Sequence, residues 1–252
     1  MKITILGSGT SVGVPFIGCN CDVCVSDNPR NKRLRSSVYI EHAGKGILID
    51  CSPDFRMQAL TNKIPRIDMI LLTHNHADHI NGLDDIRRYN YLQKEPIPIY
   101  AKNDLVDYIR QRYDYCFNPI QEGGGLPEIT LHHIEDTIDI PGLTITPIPI
   151  YHGVLEIFGY RINDFGYITD CSKITQESKD KLKGLKLLML NTLRYRSHPT
   201  HFNLEESVSI AKELNPQITR FTHLSHELEY EKVNSELPDN IKLAYDGETF
   251  EI

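Results

Sequence analysis

What the sequence does not contain narrows it first. None of its apolar runs approaches the roughly 20 residues that a membrane-crossing helix needs, so no helical span is expected in the 252 residues. The opening MKITIL has no apolar core segment followed by small residues, so no signal peptide is read there. Internal repeats, low-complexity tracts and linkers are missing as well, which points to one domain over residues 1–252. Nor is there an excess of basic residues. The formal charge is −7, and unspecific binding to a polyanion needs cations that displace counterions from phosphates, so nucleic acid is not the expected partner. A small phosphorylated ligand stays compatible, because bound ions can reverse a local field. With 40% apolar and 24% charged residues, the composition is that of an ordinary soluble globular protein.

Six cysteines are present, and their spacing matters more than their number. Cys19, Cys21 and Cys24 crowd into GCNCDVC, whereas Cys51, Cys116 and Cys171 are scattered. Without an export signal, clustering of this kind favours a metal over disulfides and makes the cytoplasm the expected compartment.

Short apolar runs alternate with turn residues and a few helical stretches. KITILG reads as a strand that enters the glycine-rich loop GSGTSVGVP, and SSVYIEHAGKGILIDCS reads as a hairpin turning at residues 43–46. SPDFRMQAL predicts a helix start with Ser52 as N-cap and Pro53 in its first position. IDMILLT, LTITPIPIYHG, FGYITDCS and LKLLMLNT read as strands, and LDDIRRYNYLQ and NDLVDYIRQRYDYC have helical spacing. Asn203 and Glu206 predict a capping box at the head of NLEESVSIAKEL, and QEGGGLPE predicts a loop. Interleaved strands and helices indicate an α/β layered sandwich.

The sharpest signal is LLTHNHADHI. His74 and His76 are two residues apart, so an extended chain puts both on one side, whereas a helix would point them apart. The apolar run before them supplies a rigid strand, and Asp78 and His79 follow in the turn. Four ligands exceed the three that one catalytic zinc takes from protein, so a two-metal centre is the natural reading. It requires further ligands, and His152, Asp170 and His223 each close an apolar strand. Asp170 offers two oxygens, which suits a bridging carboxylate.

H-x-H-x-D-H followed by the later His, Asp and His resembles the metallo-β-lactamase superfamily over nearly the whole chain. The resemblance implies an αβ/βα four-layer sandwich, two mixed sheets flanked by helices, with a dinuclear site. In that pattern His74, His76 and His152 hold one divalent ion, Asp78, His79 and His223 hold the other, and Asp170 bridges them. C-x-C-x-x-C together with His226, three residues after His223, resembles the PhnP-type phosphodiesterases of the carbon–phosphorus lyase pathway. There Cys19, Cys21, Cys24 and His226 correspond to a separate structural zinc site in a small loop around residues 19–24. A histidine in the place of His201 serves as general acid in that pattern, with His198 as its rival here. Asp78 and His201 are therefore the residues expected to carry chemistry.

The resemblance implies a phosphodiesterase for small phosphodiesters, cyclic ribose phosphates first, with manganese or zinc in the catalytic centre. It also implies a homodimer, though no stretch marks an interface. A tRNA 3′-processing type of endoribonuclease shares the superfamily site and is the main alternative, followed by a thioester or lactone hydrolase. A non-catalytic metal-binding or redox-sensing module is the alternative outside enzymes. Asp84, Asp85, Arg35, Arg87 and Arg88 have no spacing that singles one out, and His42, His132 and His133 are read as structural. Cys51 and Cys171 are read as buried.

Overall fold

Residues 47–49 show how the fold is built. Ile47 and Ile49 point into one core while Leu48, between them, points into another, as the two-residue period of a strand requires. Residues 187–190 repeat the pattern, with Leu187 and Met189 on one side and Leu188 and Leu190 on the other. Strands that are apolar on both faces must be covered on both faces. The computed structural model describes residues 1–120 and 125–252 and shows that covering.

In chain order the first strands are β1 (Lys2–Gly7), β2 (Ser37–His42), β3 (Lys45–Ile49), β4 (Met69–Leu71), β5 (Ile97–Ala101) and β6 (Ile129–His133). They continue as β7 (Ile138–Ile140), β8 (Leu143–His152), β9 (Leu155–Ile162) and β10 (Phe165–Ile168). The last are β11 (Leu187–Asn191), β12 (Ile218–Thr222), β13 (Ile241–Leu243) and β14 (Thr249–Glu251). One seven-stranded sheet has the order β14-β1-β2-β3-β4-β5-β6 and the other β13-β12-β11-β10-β9-β8-β7. Each mixes parallel and antiparallel pairs: β2–β3 is antiparallel but β3–β4 parallel, and β9–β10 is antiparallel but β10–β11 parallel.

The sheets face each other across a core that includes Ile3, Ile40, Phe158, Tyr160 and Tyr167. Helices cover the outer faces. Helix α1 (Asp22–Val25), in the cysteine loop, packs apart in a small cluster with Val14 and Phe16, and the first sheet is covered by α2 (Phe55–Thr61), α3 (Ala77–Ile80), α4 (Arg87–Gln93), α5 (Asn103–Arg112) and α6 (Asp114–Phe117), of which α2, α4 and α5 contribute Phe55, Tyr89 and Ile109 to the core. On the second, α7 (Gln176–Lys181), α8 (Leu204–Leu214) and α9 (Tyr230–Glu236) lie over Leu188, Leu190 and Phe221. This is the αβ/βα four-layer sandwich. Among the described residues, no helix is long and apolar enough to cross a membrane.

Local departures from the sequence reading have physical causes. Helix α2 begins at Phe55, not after Ser52. Ser52 is buried with its hydroxyl turned to Gln58 and to the Asp54 N–H, so it closes a turn before the helix rather than capping it. The hairpin turn is only Ala43 and Gly44, both at positive φ (48° and 77°), which matches the twist of the two strands. The capping box at Asn203 and Glu206 is formed. The C-terminal stretch divides, sending β13 to one sheet and β14 to the other. Of the expected QEGGGLPE loop, residues 121–124 lie outside the described residues.

β3 and β4 run parallel in one sheet, and β8, β10 and β12 share a direction in the other. Their C-terminal ends deliver Asp50, His74, His152, Asp170 and His223 to a common edge of the sandwich, as the contacts below show.

Candidate metal centre

Seven predicted ligands converge there as two overlapping sets. His74, His76, His152 and Asp170 offer atoms all within 4.8 Å of one another, and so do Asp78, His79, Asp170 and His223. Asp170 belongs to both. Its Oδ1 lies 3.3 Å from His79 Nε2 and 3.2 Å from His223 Nδ1, while Oδ2 lies 3.8 Å from His74 Nε2. All of these except His76 are buried.

The imidazoles are held from behind. His79 Nδ1 donates to Asp50 Oδ2 at 2.7 Å. The Thr73 hydroxyl donates to Asp50 and accepts from His74 Nδ1 at 3.0 Å, so the same carboxylate orients a histidine of each set. The Thr73 N–H adds a third bond to Asp50 at 2.9 Å. His152 Nδ1 donates to the Thr200 carbonyl at 2.9 Å. Fixing Nδ1 in this way presents Nε2 to the centre and sets the ligand tautomer. The sequence reading gave Asp50 no role. Its signal is visible only in retrospect: an aspartate at the tip of the apolar run ILI, placed as Asp170 is after FGYIT.

Buried polar atoms normally have partners. Here His74 Nε2, His79 Nε2 and Asp78 Oδ2 have none with bonding geometry, and all face the centre. Lone pairs aimed at a shared point from imidazole and carboxylate suit a divalent cation, so the donor set fits the metals this fold implies. The electrostatics agree. Burial would raise Asp78 and Asp170, but the neighbouring histidines outweigh it and hold both below the usual carboxylate range. Burial, with His79 close by, holds His74 well below the ordinary histidine value. At His79 burial is outweighed by Asp78, Asp170 and Asp50, which push it upward. Asp50, Asp170 and His223 have left-handed backbones with φ of 58°, 52° and 58°.

His201 closes the site from the loop before α8. Its ring centroid is 4.7 Å from that of His152 and 4.9 Å from that of His223, and its Nδ1 is buried without a partner. Burial, then the nearby His223, pushes its pKa down to about 3. His198 is one ring further out, 5.1 Å from His201, with Nδ1 3.2 Å from the Thr200 hydroxyl.

The second cluster is separate. Sγ of Cys19, Cys21 and Cys24 lie 3.3, 3.5 and 3.5 Å from His226 Nδ1, and all three thiols are free. Tetrahedral bonds of about 2.3 Å to sulfur and about 2.0 Å to nitrogen would separate such atoms by about 3.5 Å, so these four residues fit zinc. Phe16 stacks on the His226 ring with centroids 3.9 Å apart. Burial pushes Cys24 up to about 11, whereas a hydrogen bond from the Cys24 backbone lowers Cys21.

The remaining candidates lie elsewhere. Arg35 pairs with Asp54, Asp84 with Arg87, and Arg88 lies over the Tyr91 ring. Asp85 sits in the turn before α4. His132 stacks on Tyr100, and His42 and His133 close strands of the first sheet. Cys51 and Cys171 are fully buried.

The family pattern described as a beta-lactamase superfamily domain matches residues 45–224, and the chain belongs to the metallo-β-lactamase superfamily. Within it the chain is PhnP-like. A crystal structure described as a new diphosphatase from the PhnP family shares 42% identity and a TM-score of 0.93, covering 100% of this chain and 97% of that one. An octanoyltransferase of Porphyromonas gingivalis is 41% identical over 254 residues, covering 98% of this chain but 51% of that protein. The chain thus spans about half the length of that relative. Zinc-bound PqqB from Methylobacterium extorquens has a TM-score of 0.82 at 22% identity with all of both chains covered, a likeness of fold alone. The fold of this superfamily implies divalent metal ions.

Proposed function

We propose that the chain is a metal-dependent phosphodiesterase for small phosphodiesters, with cyclic ribose phosphates the first class to test. One observation carries the reading: Asp170 is common to two four-residue ligand sets, and three of their buried donor atoms, on His74, His79 and Asp78, lack partners. We assign His74, His76 and His152 to one ion, Asp78, His79 and His223 to a second, and Asp170 to both. Manganese and zinc both suit imidazole and carboxylate donors. Two such ions would acidify a bound water and offset charge on phosphate oxygens.

The chain's own groups do the rest. Asp50, acting directly on His79 and through Thr73 on His74, keeps ligands of both sets aligned. His201 adjoins both sets and supplies the proton that a departing alkoxide needs. With its pKa near 3 it is neutral in the free protein, and an anionic phosphate beside the ring would favour the imidazolium. Cys19, Cys21, Cys24 and His226 hold a structural zinc.

The 42%-identical diphosphatase supports a second substrate class, diphosphate esters. Their leaving group is a phosphate rather than an alkoxide, so it depends less on a proton donor.

The test uses an aryl phosphodiester, a cyclic ribose phosphate, a diphosphate ester and a precursor tRNA in parallel. His201→Ala should retain the catalytic metals while turnover of the cyclic ribose phosphate, whose leaving group is an alkoxide, falls at least about tenfold. Wild-type turnover by that variant would remove His201 from the mechanism. Activity that survives exhaustive chelation would overturn the scheme, and cleavage of the tRNA alone would replace the substrate class.

A further inference from the structure

Among the described residues Arg33 is the largest fully buried side chain, at 1% exposure, and no reaction step above uses it. Its backbone and its guanidinium grip different segments. The backbone exchanges two 2.8 Å hydrogen bonds with Val14, at the head of the segment that runs through Phe16 to the three cysteines. Nη1 donates to the Ser225 carbonyl at 2.8 Å and Nη2 to the Leu228 carbonyl at 2.6 Å. Those carbonyls flank His226, and Ser225 is two residues from His223. Asn31 completes the clasp: its Oδ1 accepts from Arg33 Nη2 and from the Tyr230 N–H, and its Nδ2 donates to Glu229.

A buried guanidinium is costly unless its N–H groups find acceptors. Here the acceptors are the Ser225 and Leu228 carbonyls, Asn31 Oδ1 and, at 3.4 Å, the Arg30 carbonyl, so it ties its own segment to the His226 loop, and among the described residues no carboxylate lies within ion-pair distance of it. The loop it grips is continuous with the catalytic centre. Leu224 N–H donates to Ser8 O, Thr10 N–H donates to Leu224 O, and the Thr10 hydroxyl is 3.2 Å from His223 Nε2.

We propose that Arg33 is a positioning residue for both metal clusters: it holds His226 against the three cysteines and keeps the His223 loop in register with the catalytic ligands. The proposal rests on the assignment of metals to those clusters. A planar fork of donors reaches Ser225 and Leu228 at once, whereas a lysine ammonium is a single point, so Arg33→Lys should preserve only part of the function.

The experiment follows zinc release to a chromogenic chelator and the cobalt–thiolate absorption of cobalt-substituted protein, comparing the parent, Arg33→Lys, Arg33→Met and Asn31→Ala. Zinc should leave the cysteine cluster at least tenfold faster in Arg33→Met, with weakened cobalt–thiolate bands, and Arg33→Lys should fall between. Asn31→Ala, a milder change, should show the same direction if Arg33→Met does not fold. A variant of Ile109, matched to it in urea midpoint but in the separate core under the first sheet's helices, should release zinc at the parent rate. Equal release from parent and folded Arg33 variants, or equal acceleration in the Ile109 control, would overturn the proposal. A parent that holds no metal on its cysteines while remaining a metal-dependent phosphodiesterase would overturn it too, leaving the catalytic reading intact. Loss of metal dependence itself would instead strike the proposed function.

Discussion

The two ligand clusters lie at either end of one loop, His223 to His226, yet they are made differently. The proposed catalytic ligands sit at strand ends and, for Asp78 and His79, in the short helix α3; all but one are buried, and three imidazoles are fixed from behind by Asp50, Thr73 and the Thr200 carbonyl. The cysteine ligands sit on an irregular segment, Cys19, Cys21 and His226 are partly exposed, and the hydrogen-bonded support comes chiefly from the Arg33 clasp. Sheet ends give the first cluster its geometry before any cation arrives. In the second, the proposed zinc would itself be one of the fastenings, as in other small zinc sites.

The contrast can be broken most forcefully at Asp50. Asp50→Ala strands His79 Nδ1 and the Thr73 N–H, so metal affinity and turnover should fall about 10- to 100-fold, read by metal analysis and aryl phosphodiester hydrolysis. Retained metal and turnover would mean that the strand ends alone suffice. The next effect belongs to the other cluster. Cys21→Ser should lose about one zinc per chain and several degrees of Tm, in line with about 1–2 kcal/mol for a chain of this size, while turnover stays within about threefold because Arg33 still grips the His223 loop. A collapse of turnover would show that zinc, not Arg33, positions that loop.

The smallest effect sharpens the comparison at Asp246, which lies between the two regions. It accepts from the Ser8 N–H and hydroxyl and from the Leu34 N–H, and desolvation outweighs these bonds to push its pKa up to about 7. A carboxyl whose folded pKa is raised stabilises fully below its unfolded value, about 3.9, and loses that contribution as pH rises through 7. Urea midpoints should therefore fall from pH 5 to pH 8 more steeply in the parent than in Asp246→Asn. Because Asp246 is partly exposed, the difference should be modest; identical slopes would assign the pH dependence elsewhere.

What could be read in advance follows the same division. His74 and His76 announce themselves by a two-residue spacing after an apolar run, and strand periodicity places His152, Asp170 and His223 at strand ends. The cysteine triplet is equally plain. Asp50 and Arg33 escaped because they act through other residues: each is one ordinary letter whose decisive partners, Thr73 and His79 for the one and Ser225 and Leu228 for the other, lie 23 to 195 positions away, where only the fold brings them near. The start of α2 was misplaced for a related reason, since Ser52 spends its hydroxyl on Gln58 and the turn rather than on the helix.

The left-handed backbones at Asp50, Asp170 and His223 restrict what can replace them. Aspartate, asparagine and histidine tolerate that conformation better than most residues, and β-branched side chains tolerate it least. A valine at any of the three would remove the functional group and distort the chain, whereas asparagine at 50 or 170 would change the chemistry with the peptide left as it is. Inactive variants at these positions thus fall into two kinds, the misshapen and the merely unreactive, and only the second kind reports on catalysis.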